Sequence, residues 1–85
     1  MKPHAVTRER LVEMVTEAIF EVAKIRIPPD RYGSNLLQLG LDSLKAIQVL
    51  NILEDRLDVM IDDSNLRRFT SIDAIADFFD SLPRA

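Results

Sequence analysis

The chain contains no cysteine. Disulfide bonds, metal sites built on thiolates and a cysteine nucleophile are therefore all excluded, and the absence fits a reducing compartment. Any thiol chemistry would have to come from a group attached to the chain. No apolar run is longer than three residues, so the sequence contains neither a membrane-spanning helix nor the apolar core of a signal peptide. We expect a cytoplasmic protein that does not engage membranes.

Basic residues are outnumbered as well. The 85 residues carry 14 acidic and 11 basic side chains, a formal net charge of −3. No strong positive field would therefore hold nucleic acid through its phosphates, and basic partners fit the balance better than acidic ones. A chain of this length forms one domain with a single modest core, which leaves little room for a catalytic cleft with several walls.

Glycine is rare, and its two positions, Gly33 and Gly40, both lie in the middle of the chain. Elsewhere no alternation of apolar and polar residues bounded by turns predicts a strand. The sequence therefore predicts an all-α fold. We expect a four-helix bundle of three longer helices and one short helix, with a long loop over residues 28–42 between the first and second helices.

Capping residues and prolines set the bounds of the predicted helices. The first helix begins after Thr7 and stops near Arg26 or Ile27, because Pro28 and Pro29 follow. The other predicted helices run from Ser43 to Leu57, as a short segment anchored by Leu66 within residues 58–69, and from after Thr70 to Pro83. We expect a single domain over residues 7–82, between a disordered tail at residues 1–6 and a C-terminal tail at residues 83–85.

Four leucines interrupt the polar loop at positions 36, 37, 39 and 41. Because loops cross the surface and still have to stay ordered, we expect some of these leucines to anchor the loop over the open end of the bundle. The pattern also allows a short turn of helix around residues 35–38.

The second predicted helix has two distinct faces at helical spacing. Its buried face comprises Ala46, Val49, Leu50, Leu53 and Leu57. What we call the second face comprises Leu44, Ile47, Gln48, Asn51, Glu54 and Asp55, with Asp58 on the same arc. The second face is not needed for the core. It is either an ordinary solvated surface or a binding surface for a basic partner, and the pattern alone leaves both open.

Ser43 lies where the irregular loop turns into this helix, in the stretch Leu39-Gly40-Leu41-Asp42-Ser43-Leu44. Gly40 can take the positive φ of a sharp turn, and Asp42 can cap the helix. The Ser43 hydroxyl then falls in the first helical turn, where the helix dipole and unpaired N–H groups favour an attached anionic group such as a phosphodiester. In the alternative reading, Ser43 is only a good first-turn residue.

Catalysis by the chain itself has little support in the sequence. The sole histidine, His4, lies in the predicted tail, so a Ser-His hydrolase is not expected. The acidic pairs Glu54-Asp55 and Asp62-Asp63 are adjacent in sequence rather than on one helical face, and no calcium-loop spacing is present. We predict no catalytic residue and no metal site.

The stretch around Ser43 resembles the phosphopantetheine attachment motif of acyl carrier proteins. The resemblance extends through the second helix, Ile61, Asp63 and the Phe69-Thr70-Ser71 junction to Phe79, and so covers nearly the whole chain. It implies that Ser43 receives 4′-phosphopantetheine from coenzyme A through a separate phosphopantetheinyl transferase, with Asp42 as part of the motif. The terminal thiol of the arm would then hold acyl groups as thioesters.

The resemblance also implies the partners. They would be the transferase and acyl-loading, condensing and acyl-transfer enzymes with basic docking surfaces. In that family the partner-binding face includes the positions of Leu44, Ile47, Asn51, Glu54 and Asp55, and we add Gln48 from the helix pattern. We expect a monomer that acts as a carrier and not as an enzyme.

Departures from the family pattern bear on the pathway. Lys45 stands where carriers of fatty-acid synthesis usually have an acidic residue, and Arg67 and Arg68 stand where their third helix is strongly acidic. The run from Ser43 to Gln48 is similar to carriers of polyketide and nonribosomal peptide pathways. We therefore favour a discrete carrier of polyketide or related specialised biosynthesis. The alternatives are a fatty-acid carrier, an aminoacyl or peptidyl carrier, and an unmodified helical interaction module.

Overall fold

The computed structural model describes residues 7–81 and is helical. Three α-helices, α1 (Arg8–Ala23), α2 (Ser43–Leu57) and α3 (Ile72–Asp80), alternate with two 3₁₀ helices at Pro29–Arg31 and Asp63–Arg68. No strand occurs within residues 7–81, so the all-α class is confirmed. The predicted tails at residues 1–6 and 83–85 lie outside the described residues.

The short fourth helix is not confirmed as an α-helix. Its predicted segment forms the 3₁₀ helix Asp63–Arg68, capped by the Asp62 carboxylate, which accepts from the Ser64 N–H at 3.1 Å. Leu66 packs against the core as predicted. The other 3₁₀ helix, Pro29–Arg31, was not predicted; a proline at its first position needs no N–H partner there.

Helix α1 begins as predicted and ends early. The Thr7 hydroxyl accepts from the Arg10 N–H at 3.1 Å, but the helix stops at Ala23 and not near Arg26 or Ile27. Lys24 adopts a left-handed conformation with φ of 60° and donates its N–H to the Phe20 carbonyl, which closes the helix before the prolines have any effect. Ile25 and Ile27 lie beyond the helix and pack half-buried against the core.

Helix α1 packs against both α2 and α3, and the core between them is apolar. The largest of its fully buried side chains are those of Val15, Ile19, Leu41, Val49, Leu53, Ile72 and Ile75. Among the side chains that the structure describes, none that is polar or charged is buried. Burial of these aliphatic groups is the main force that holds the three helices together.

The long loop is held by backbone hydrogen bonds to α3 and to the residues just before it. The Leu36 N–H donates to the Thr70 carbonyl at 2.9 Å, and the Asp73 N–H donates to the Tyr32 carbonyl at 3.0 Å. Leu36 and Leu41 are buried, whereas Leu37 is 69% exposed, so some of the loop leucines anchor the loop as predicted. Residues 36–40 form successive turns in place of the short helix that the pattern allowed.

Two arginines tie the helices together at the surface. Arg8 of α1 pairs with Asp77 at 2.8 Å and Asp73 at 3.4 Å on α3. The hydrogen bond to Asp77 is the main cause that raises the pKa of Arg8 above its usual value. Arg56 of α2 pairs with Glu17 and Glu21 of α1. Each pair is exposed and adds modestly to stability.

Candidate functional site

The turn before α2 presents Ser43 to solvent. Gly40 has a φ of 94°, a conformation that side-chain-bearing residues rarely adopt, and Leu41 is buried, which fixes the chain just ahead of the helix. The Asp42 carboxylate accepts from the Lys45 N–H at 2.9 Å and caps α2 as predicted. Ser43 is the first residue of the helix and is exposed. Its hydroxyl makes no hydrogen bond with any other of residues 7–81.

The two predicted faces of α2 differ in burial as expected. On the buried face, Val49, Leu50 and Leu53 are buried, and Ala46 and Leu57 are half-buried. On the second face, Leu44 is 65% exposed and Ile47 is 40% exposed. Gln48, Asn51 and Asp55 are exposed there too. Two aliphatic side chains next to Ser43 thus remain in water, with polar and acidic groups further along the helix.

Glu54 differs from the rest of the second face. It is half-buried, and its carboxylate accepts the Ile61 N–H at 2.7 Å. Glu54 therefore holds the segment that follows α2, a structural task that helical periodicity along α2 could not reveal. Asp55, one position later, is exposed and carries no such hydrogen bond within residues 7–81.

A groove of about 370 Å³ opens beside Ser43, and we call it the Ser43 groove. The loop, α2 and the second 3₁₀ helix form it together. Its apolar walls include Leu36, Leu37, Ile47, Leu50 and Leu66. Its polar lining includes Asn35, Asp42, Ser43, Arg67 and Thr70. This volume lies at the small end of the range for ligand pockets in proteins.

The interior of the bundle, by contrast, is filled. The cavity between the helices measures about 10 Å³ and is lined by Ile19, Leu41, Val49, Phe69 and Ile75, among others. A single water molecule needs about that much room. Any group larger than a water molecule would have to separate the helices to enter the core, whereas the Ser43 groove is already open.

The sequence pattern of one protein family, described as a phosphopantetheine attachment site, matches residues 13–79. The chain belongs to the phosphopantetheine attachment family. The matched residues include most of α1, all of α2 and nearly all of α3, and therefore the whole turn around Ser43. Searches of curated proteins and of solved structures found no match. Family membership shows a carrier function and identifies 4′-phosphopantetheine, attached covalently to a serine, as the cofactor.

The residues around the turn fit this cofactor of the phosphopantetheine attachment family. The exposed Ser43 hydroxyl is free to form an ester, and the N–H groups of the first turn of α2 face an anion placed there. Arg67 adds a cation to the lining of the adjoining groove. When bound, the cofactor supplies the thiol that this cysteine-free chain lacks.

Other groups that could carry chemistry are few in this part of the molecule. His4 lies outside the described residues, and no three of the described Asp and Glu side chains are arranged to hold a metal ion. No helix of the described chain is long and apolar enough to cross a bilayer. A family match that covers the site therefore carries the functional argument, together with the geometry of Ser43.

Two features of the site escaped the sequence analysis. One is the Ser43 groove itself, which forms only when the loop and the second 3₁₀ helix meet α2. The other is the exposure of Leu37, which reads in sequence like its buried neighbour Leu36. The sequence signal closest to the groove is Arg67, which departs from the family pattern. In the sequence this departure bears only on the choice of pathway.

Proposed function

We propose that Ser43 is the serine that bears 4′-phosphopantetheine, and that the protein is a carrier that holds acyl groups for partner enzymes without catalysing their reactions. The observation that carries this proposal is the exposed Ser43 hydroxyl, unbonded within residues 7–81, at the first position of α2 inside the family match. Attachment joins the Ser43 oxygen to phosphorus, breaks the pyrophosphate bond of coenzyme A and releases the nucleotide half. The hydroxyl proton passes to a base of the transferase.

The turn prepares Ser43 for that role in two ways. Asp42 caps the helix through the Lys45 N–H, which leaves other N–H groups of the first turn free to face the phosphodiester. Gly40 and buried Leu41 fix the path of the chain, so the hydroxyl stays at the surface without a competing partner. Both features suit a serine that a separate enzyme has to reach.

The second face is the proposed docking surface for those enzymes. Leu44 and Ile47 offer apolar contact close to Ser43, and Asp55 offers negative charge to a basic surface. Gln48, Asn51 and Glu54 complete the predicted set, although Glu54 has one carboxylate oxygen engaged with Ile61. The cytoplasmic location and the monomeric state that we expect from the sequence stay predictions.

For the pathway, we propose polyketide or related specialised biosynthesis. Lys45, Arg67 and Arg68 make this carrier more basic around α2 and the second 3₁₀ helix than the pattern of fatty-acid carriers. Fatty-acid synthesis is the second candidate, and an aminoacyl or peptidyl carrier is the third. Identification of the thioester on protein isolated from its native host distinguishes the three.

Intact-mass measurement tests the attachment. Incubation with coenzyme A, Mg²⁺ and a broad-specificity phosphopantetheinyl transferase should add roughly 340 Da, the mass of one arm esterified at the helix terminus. Ser43→Ala should abolish the gain. Ser64→Ala removes an exposed serine from the second 3₁₀ helix and should leave the gain intact. Absence of the gain, or its persistence in Ser43→Ala, would overturn the proposal in favour of an unmodified interaction module.

A charge reversal tests the docking surface. Asp55→Lys should lower kcat/KM of a transferase with a basic docking surface about fivefold, which corresponds to about 1 kcal/mol at an exposed ion pair. Glu9→Lys makes the same change in charge at an exposed position of α1 and should have no such effect. Equal losses in both variants would show that net charge, and not the second face, governs binding.

A further inference from the structure

A second groove opens at the C-terminal half of α1, and we call it the α1 groove. It measures about 370 Å³ and lies between α1, the segment that follows α1, and Arg56 of α2. None of its lining residues lines the Ser43 groove or belongs to the second face. Arg56 near the end of α2 and Ser43 at its start are separated by about 20 Å along the helix axis. The α1 groove is therefore remote from the attachment residue.

The walls of the α1 groove include apolar side chains that water reaches. Phe20 of α1 is 36% exposed, and Ile25 and Ile27 of the following segment are half-buried in the lining. Aromatic side chains are enriched where proteins bind one another. The α1 groove thus offers an apolar surface to a partner, and its polar groups indicate the chemistry of that partner.

The backbone of residues 25–27 has no hydrogen-bond partner in the described chain. The segment forms neither a helix nor a turn, and none of its N–H or C=O groups makes a hydrogen bond within residues 7–81. Half-buried Ile25 and Ile27 alternate with exposed Arg26, which is the pattern of an extended chain. An extended segment with open main-chain donors and acceptors is a template for pairing with a second extended chain.

Arg26 is held by an aromatic ring and not by an acid. Its guanidinium carbon lies 4.4 Å from the centre of the Phe20 ring, and the Lys24 ammonium lies 5.7 Å from the same centre. Neither cation forms an ion pair with a side chain that the structure describes. A guanidinium over an aromatic ring makes this contact without using its N–H donors, which stay available for a carboxylate.

The two acids that line the α1 groove already have cationic partners. Glu17 pairs with Arg56 at 3.5 Å and with Arg10 at 3.6 Å, and Glu21 pairs with Arg56. The charge left over beside the groove is therefore positive, although the chain as a whole has a net charge of −3. This local sign favours an acidic occupant.

We propose that the α1 groove binds an extended acidic peptide segment of a partner protein. The segment pairs through its main chain with residues 25–27, places a carboxylate against the Arg26 guanidinium and lays an apolar side chain on Phe20. This occupant uses the open backbone, the unpaired cation and the exposed ring together. The inference does not depend on which serine carries the cofactor.

The position of the α1 groove determines what such binding achieves. An enzyme that docks on the second face leaves the α1 groove uncovered, because the two surfaces share no residue. A partner protein can therefore hold the carrier through its acidic segment while successive enzymes meet Ser43. Such a tether raises the effective concentration of the carrier near its enzymes.

An NMR titration of the full ¹⁵N-labelled chain tests the proposal. The probe is an acetylated and amidated heptapeptide in which glutamate alternates with valine, and the control peptide has lysine in place of glutamate. The acidic peptide should shift the amide signals of residues 25–27 saturably, and the basic peptide should not. At about 90% occupancy, hydrogen exchange of at least one of these amides should slow about tenfold, because only the free fraction exchanges. Equal responses to the two peptides, no saturable shift, or unchanged exchange would each overturn the inference.

Arg26→Gln is the decisive variant. Arg68→Gln is its matched control, because the Arg68 guanidinium carbon lies 5.3 Å from the centre of the Phe78 ring, outside the α1 groove. Arg26→Gln should weaken the affinity for the acidic peptide about fivefold, as the loss of one exposed charge pair implies, and Arg68→Gln should leave it unchanged. Circular dichroism verifies that both variants stay folded. Equal affinities of the two variants would contradict the role given to Arg26.

Two further measurements separate this inference from the other conclusions on the molecule. Ser43→Ala should bind the peptide like the wild type, so a failure of the proposed attachment leaves this test intact. Spectra of the free chain at two concentrations about tenfold apart should coincide at residues 25–27. Shifts there that depend on concentration would assign the α1 groove to a second copy of the chain and would refute an acidic partner segment as its occupant.

Discussion

The backbone N–H of Ile61 donates a hydrogen bond of 2.7 Å to the Glu54 carboxylate, and this bond fastens the segment after α2 to the helix surface. Asp55 follows directly and makes no comparable bond within residues 7–81. Two adjacent acids on the second face therefore have different physical roles. Glu54 contributes to the fold as well as to the charge of the surface, whereas Asp55 contributes charge alone.

Glu54→Ala should lower the free energy of unfolding by about 1–2 kcal/mol, because it leaves the half-buried Ile61 N–H without an acceptor. Glu54→Gln keeps a side-chain oxygen and should lose less. Asp55→Ala removes an exposed carboxylate and should change stability by no more than about 0.5 kcal/mol. Urea unfolding followed by circular dichroism measures all three. Equal losses for Glu54→Ala and Asp55→Ala would show that the Ile61 bond does not stabilise the fold.

The sequence predicted α2 well because its signals are local. Asp42 caps the helix at the predicted residue, and the helix ends at Leu57 as expected, where Asp58 takes a left-handed conformation with φ of 55°. Helical spacing alone separated buried Leu53 from exposed Leu44. The same local rules predicted that Ser43 lies in the first turn of α2 and is exposed.

The early end of α1 is a local feature that the sequence did not signal, because Lys24 takes a left-handed conformation where no glycine stands. The other features that were not predicted depend on tertiary contacts. Glu54 meets Ile61 only because the chain returns along α2 after Asp58. The Ser43 groove requires the loop and the second 3₁₀ helix to lie side by side, held in part by the bond between Leu36 and Thr70. Periodicity within one helix carries no information on contacts between segments that are separate in sequence.

The two glycines offer a matched pair for the turn before Ser43. Gly40→Ala should lower the free energy of unfolding by about 1–2 kcal/mol, because Gly40 has a φ of 94°. An added Cβ would meet no atom within 4 Å, so backbone strain is the sole penalty. Gly33 has no positive φ, and an added Cβ would lie an ordinary 3.8 Å from the Asp73 carboxylate. Gly33→Ala should therefore be neutral or stabilising by up to about 1 kcal/mol. Thermal unfolding compares them, and equal effects would contradict this assignment of strain.

Asp42 should act through its hydrogen bond to Lys45 and not through its charge. Asp42→Ala removes the cap of α2 and should cost about 1 kcal/mol, a fall in Tm of about 4–8 °C for a domain of this size. Asp42→Asn keeps an acceptor of equal capping strength and should stay close to wild type. Calorimetry at pH 7 measures both. A loss in Asp42→Asn as large as that in Asp42→Ala would show that the carboxylate charge matters more than the cap.

Leu53 and Leu44 separate the structural face of α2 from its proposed docking face. Leu53 is fully buried, so Leu53→Ala should cost about 2–5 kcal/mol through lost burial and a residual cavity. Leu44 is 65% exposed, so Leu44→Ala should change stability by no more than about 0.5 kcal/mol. Leu44→Ala should nevertheless lower kcat/KM of the phosphopantetheinyl transferase, because an aliphatic contact beside Ser43 is lost when the enzyme docks. A Leu44→Ala protein that is stable and converted at the wild-type rate would remove Leu44 from the docking surface and leave its exposure without a function.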